Sequence, residues 1–168
     1  MATVTDHRLA AVAVDSTSGT ILLEGRDLVP RTPGLMYDDS RAAAQADRAA
    51  VAGHDVWTKF GVTMQRSWAL PRALWLVENT DIEAGSRIVH QGDHMVSRLT
   101  GQPTATDSSQ ALKTGLDLLT MQWPTAVFDQ LGLDPSRSDE HTSELQATTS
   151  LGCRPLLEKK KNTQSPSM

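Results

Sequence analysis

The chain has 168 residues, 39% hydrophobic and 21% charged, with a formal net charge of -4. These totals sit near the average for soluble globular domains, so neither wholesale disorder nor a membrane span is expected. The acidic balance, with one short basic run at 159–161, argues against a nucleic-acid surface, which needs clustered Lys and Arg.

The opening MATVTDHR carries charge but no apolar core of a secretory signal, so a cytoplasmic setting is expected. LAAVAVD, from Leu9 to Asp15, is a nearly continuous apolar run and reads as a strand buried on both faces. The cluster Asp15-Ser16-Thr17-Ser18-Gly19 supplies short polar side chains and a glycine, so the chain is expected to turn there. Thr20 to Glu24 then reads as a returning strand, and the two together as a hairpin. Two glycines and two prolines between Gly25 and Gly34 leave only a loop.

Asp38-Asp39-Ser40 followed by RAAAQADRAAVAG predicts a helix with an acidic N-cap region, an alanine-rich body and a stop at Gly53. A second helix is expected over Ser67 to Leu76, where Pro71 is tolerated only near the first turn. Ile82, Ile88, Val89, Met95, Val96 and Leu99 fall at helical intervals, predicting a third helix over 82–99 that closes at Gly101. A short helix follows Pro124 through Val127, Phe128 and Leu131 and stops at Gly132.

Past Ser136 the composition changes abruptly, with no aromatic residue and little periodicity. The stretch from Arg137 to Gln146 and the later LGCRPLLEKKK resemble a translated sequencing-library adapter running into an A-rich region. The chain therefore divides into a body, 1–136, and a tail, 137–168, expected to be disordered and foreign to the fold. The single cysteine, Cys153, lies in this tail and excludes an internal disulfide or a zinc-binding cysteine pair.

His90 and His94 stand four apart, with Asp93 between them, at a spacing by which two imidazoles on one helix reach one metal. HQGDH lacks the glutamate of a zincin and offers no evident third ligand, so no metal site is assigned. Neither a P-loop nor a nucleophile elbow is present. DSTSGT presents hydroxyls and a glycine after an apolar run, which suits a polyol or a phosphate but equally an ordinary turn. In LMYDDSRA, helix capping by itself accounts for at least one of Asp38 and Asp39.

The order of AVAVDSTSGTILL, LMYDDSRA, RALWLVEN, IVHQGDHMVSRLTG, ALKTGLD, MQWP and LGLDPS resembles the N-terminal, sugar-binding domain of FGGY carbohydrate kinases, most closely D-ribulokinase and xylulokinase-like members. The resemblance implies an α/β fold: a partial ribonuclease H-like, actin-like ATPase domain, with short strands followed by several helices. It implies transfer of the ATP γ-phosphoryl group, with Mg²⁺, to a ketopentose such as D-ribulose or D-xylulose. By the same resemblance Thr17 and Ser18 contact sugar hydroxyls, Asp39 and Arg41 frame the pocket, and the phosphate loop, catalytic aspartate and ATP domain fall outside this chain. The piece alone is therefore expected to be inactive and to bind ATP and Mg²⁺ poorly. Ser109, Gln110 and Leu116 stand where relatives often carry asparagines and a tyrosine, which leaves the exact sugar open. The other reading is a non-catalytic α/β module that binds a sugar or a partner protein.

Overall fold

The structure is a computed structural model that describes residues 11–133. The tail at 137–168 lies outside the described residues. The centre is a two-stranded antiparallel sheet, β1 (Ile21–Glu24) and β2 (Arg87–His90), in the register Ile21 opposite His90 and Glu24 opposite Arg87. Helices α1 (Ala43–Ala52), α2 (His54–Trp57) and α3 (Ala69–Asn79) lie between the strands in sequence. Helices α4 (Gln91–Thr100), α5 (Ser108–Lys113) and α6 (Thr125–Leu131) follow.

Several expectations hold. Asp39 caps a short 3-10 turn, Ser40–Ala42, that leads directly into α1. Pro71 is the third residue of α3, where its missing N–H has no intrahelical partner to lose. Helices α4 and α6 end at Gly101 and Gly132. Gly53 ends α1, as expected, through a steric requirement. Its φ is -102°, so it needs no left-handed freedom; a Cβ there would stand 1.9 Å from the Trp57 ring. Only glycine lets the α1–α2 corner close over that indole.

Two expectations are corrected. Among 11–15 no strand forms, and Val12 is 59% exposed. The reason lies in β1, whose two edges are both taken. One edge pairs with β2, and on the other Ile21 exchanges hydrogen bonds with Leu35 at 3.1 and 2.7 Å. No hairpin partner is needed, so the 15–19 turn leads into β1 rather than joining two strands. The predicted helix over 82–99 is also divided, because Ile88 and Val89 belong to β2 and Ile82 lies ahead of it in a loop. A short apolar pair satisfies a strand as readily as a helix, and the free edge of β1 decides for the strand. His90 is consequently the last strand residue and His94 lies within α4, so the two imidazoles do not share a helix face.

Helix α3 is the hub. Leu70 and Leu74 join Trp57, Trp68, Phe128, Leu131 and Leu133 in one apolar cluster, whereas Ala69, Ala73 and Leu76 pack against Ile21 and Leu35 in a second. Trp57 meets Trp68 edge-on at 5.8 Å between ring centroids, an arrangement favoured by the ring quadrupoles. On the other side of the sheet, α4 is fastened through a buried carboxylate. The Glu24 carboxylate is fully buried, pairs with Arg87 through Oε1, and accepts from His94 Nδ1 at 2.5 Å through Oε2. No helix among the described residues is long and apolar enough to cross a membrane.

Glu24 thereby joins both strands to α4. Removing it strands a guanidinium and an imidazole in a buried site, and Glu24→Ala is expected to cost about 3–5 kcal/mol. The urea midpoint measures this, and a shift within the range of a surface substitution would show that the triad holds nothing together.

Candidate functional site

The turn ahead of β1 runs through Thr17–Thr20, closed by the Thr20 N–H on the Thr17 carbonyl at 3.4 Å. Gly19 has a φ of +84°, and a Cβ added there would meet the Ser67 carbonyl oxygen at 2.8 Å and Arg72 Nη2 at 3.2 Å. Both the backbone conformation and the space demand glycine. Thr17 and Ser18 are exposed at the tip, while Gly19 and Thr20 are buried beneath it.

Beneath the turn lies Arg72, on α3, with 0% exposure. Its Nη2 donates to the carbonyls of Gly19 at 2.9 Å and Ser67 at 2.5 Å. Its Nη1 donates to those of Tyr37 at 3.3 Å and Arg66 at 3.2 Å. One guanidinium thus gathers the 17–20 turn, the segment entering the Asp38–Asp39 cap, and the loop before α3. Burial lowers the Arg72 pKa, opposed by the nearby carboxylates of Asp39 and Asp38. The loss of hydration is offset by four carbonyl acceptors in place of a direct ion pair.

Asp39 and Arg41 stand together at the start of the α1 region. The Asp39 carboxylate accepts from the Arg41 backbone N–H and from Nε, each at 3.0 Å, and from Nη2 at 2.5 Å. This charge-assisted contact with Arg41 holds the Asp39 pKa below the usual carboxylate range. The Arg41 guanidinium also lies 4.7 Å from the Trp75 ring centroid. Capping therefore occupies Asp39 fully, and Arg41 presents a stacked, neutralised surface rather than a free charge.

Of the four residues singled out in the sequence, Thr17 and Ser18 are at the turn tip and Asp39 and Arg41 on the adjoining segment. Arg72 is what brings the two segments to one place. The sequence reading missed it by treating α3 as an apolar face; the signal was an arginine inside ALPRALWL, where a cation is buried only if its donors find acceptors.

The flank of the turn is formed by the β2–α4 junction and α5. Asp107 caps α5 by accepting from the Ser109 and Gln110 N–H groups at 2.8 and 2.9 Å. His90 Nε2 is hydrogen-bonded to Thr114 Oγ1 at 2.8 Å, and that hydroxyl also lies 3.5 Å from the Gln110 carbonyl. Its Nδ1 is buried without a partner. Burial pushes the His90 pKa down to about 4. Burial pushes the Asp93 carboxyl up to about 6. Among the described residues no three His, Cys, Asp or Glu side chains stand together as a metal site.

No family model matches the chain, and no curated protein matches it either. The fold is shared with solved sugar kinases. One match is a gluconate kinase from Lactobacillus acidophilus, with a TM-score of 0.61 and 24% identity, covering 76% of this chain and 27% of that one. Another is a xyloylose kinase from Brucella ovis, with a TM-score of 0.57 and 18% identity, covering 70% of this chain and 25% of that one. The chain spans about a quarter of the length of the solved kinases it matches.

Two outcomes test this arrangement. Arg72→Met leaves buried carbonyls without donors and is expected to cost about 3–5 kcal/mol, with Arg72→Lys losing less, as read from urea midpoints. The second concerns pH. The His90 contribution is complete above about 6.5 and is lost as pH falls toward 4, because the unfolded imidazole takes up its proton first. Asp93 acts oppositely: its contribution is complete below about 3.8 and is lost as pH rises through about 6. The two offset one another between pH 4 and 6, so Asp93→Asn should expose a loss of about 2–4 kcal/mol on acidification from pH 6.5 to 4. An unchanged pH slope in that variant would show that the two groups are not buried as described.

Proposed function

We propose that this chain forms the sugar-binding wall of a carbohydrate kinase of FGGY type, within a ribonuclease H-like, actin-like ATPase domain, and that its sugar is a ketopentose such as D-ribulose or D-xylulose. The observation that carries this reading is the pinned turn, with Thr17 and Ser18 exposed and its Gly19 carbonyl tied through Arg72 to the carbonyl of Tyr37, just ahead of the Asp39–Arg41 pair, in a fold shared with sugar kinases. Each hydroxyl both donates and accepts, which matches the hydroxyls of a sugar. Because the backbone beneath them is fixed by Arg72 and Gly19, little ordering cost falls on ligand binding. Asp39 and Arg41 act as a rigid, charge-balanced frame.

Phosphoryl transfer to such a sugar needs ATP, Mg²⁺ and a base positioned together. Sugar recognition is the part of that chemistry we propose for this chain, with the phosphoryl step belonging to the complete kinase.

In a coupled assay with ATP and D-ribulose, the chain is expected to show no turnover. In ¹H–¹⁵N spectra, millimolar D-ribulose or D-xylulose should shift the amides of 17–19 and 39–41, and Ser18→Ala should weaken that binding about tenfold. Sugar titrations that leave both segments unmoved would refute the reading, and measurable phosphorylation by the chain itself would refute the division of labour.

A further inference from the structure

Gln110 reaches across the chain to the turn. The Gly19 N–H donates to Gln110 Oε1 at 3.3 Å. A backbone N–H only donates, so the oxygen of the carboxamide must face it, and this fixes the orientation of the amide. The NH₂ end is left with two donors and no protein partner among the hydrogen bonds of the described residues, and the side chain is half-buried beside the exposed turn tip. The side chain is anchored at its base as well, because the Gln110 N–H is held by the Asp107 cap and its carbonyl accepts from Thr114 Oγ1 at 3.5 Å. Gly19 is therefore clamped from both sides, its carbonyl by Arg72 and its N–H by Gln110.

We propose that Gln110 is a specificity-determining ligand contact, whose carboxamide NH₂ donates to an sp² oxygen of the bound sugar, a ketose carbonyl or a sugar-acid carboxylate. The assignment rests on the sugar-binding reading of this site. The donor balance supports it. The NH₂ group brings donors without an acceptor, the buried Arg72 has no ion-paired carboxylate among the described residues, and Asp39 is already neutralised by Arg41. An oxygen with two lone pairs and no proton satisfies such a corner better than a hydroxyl.

Gln110→Glu separates the two ends of the side chain, since glutamate still accepts the Gly19 N–H but donates nothing. With the 168-residue chain, calorimetric affinities are compared for D-ribulose, D-gluconate and ribitol, the last lacking any sp² oxygen. In the wild type, ribulose stronger than ribitol identifies the ketone as the acceptor, and gluconate stronger than ribitol identifies the carboxylate. For the preferred ligand, Gln110→Glu should weaken binding about tenfold with an unchanged thermal midpoint, while ribitol changes by less than about threefold. The Gln110 side-chain NH₂ resonances of the wild type should shift on saturation with the same ligand, a readout that does not depend on the variant folding. Equal affinities of wild type and variant, or unmoved NH₂ resonances in a wild type that binds sugar, overturn the role of Gln110 alone. A wild type that binds none of the three overturns the sugar reading together with it.

Discussion

A guanidinium removed from water is costly unless its donors are used, and Arg72 uses four N–H groups on four backbone carbonyls. That requirement couples segments far apart in sequence. The carbonyl of Gly19 cannot turn away without leaving a buried donor empty, and neither can those of Tyr37, Arg66 and Ser67. The positive φ of Gly19, the position of the Asp39 cap and the entry to α3 are thus one constraint seen in three places. The candidate site inherits its rigidity from this contact, and the exposed hydroxyls add chemistry to a backbone that is already set.

The two sides of the sheet are held by different forces. Toward α3 the contact is apolar and close, with Ala69 and Ala73 small enough to let the helix approach Ile21 and Leu35. Toward α4 it is polar, with Glu24 between Arg87 and His94. The apolar side is tolerant of small changes in side-chain shape, whereas the polar side depends on complete pairing. The turn tip lies at the end of the strand that both sides grip.

Elements with chemical punctuation were legible in the sequence. Asp39 before an alanine-rich run, Pro124 before Val127 and the glycines at 101 and 132 marked helix ends because local capping and backbone freedom decide those positions. Elements settled by distant partners were not legible. Ile88 and Val89 became a strand because β1 offered an edge 63 or more residues earlier, and 11–15 failed to form one because β1 had no edge left. Helix α5 was missed since SSQALK lacks apolar periodicity, although Asp107 ahead of two serines was a cap signal. Thr17, Ser18, Asp39 and Arg41 could be named from a family resemblance, but Arg72 and Gln110 act through contacts spanning 53 and 91 positions, which no local pattern encodes.

The separation of β1 from β2 also has a kinetic meaning. Their pairing joins Ile21 to His90 across the whole of α1, α2 and α3, so the sheet closes a long loop at an entropic cost that slows pairing. Helical packing around α3 supplies local contacts within that loop. The bend that carries Thr17 and Ser18 leads directly into β1, so its placement is tied to the closure of that loop as well as to Arg72.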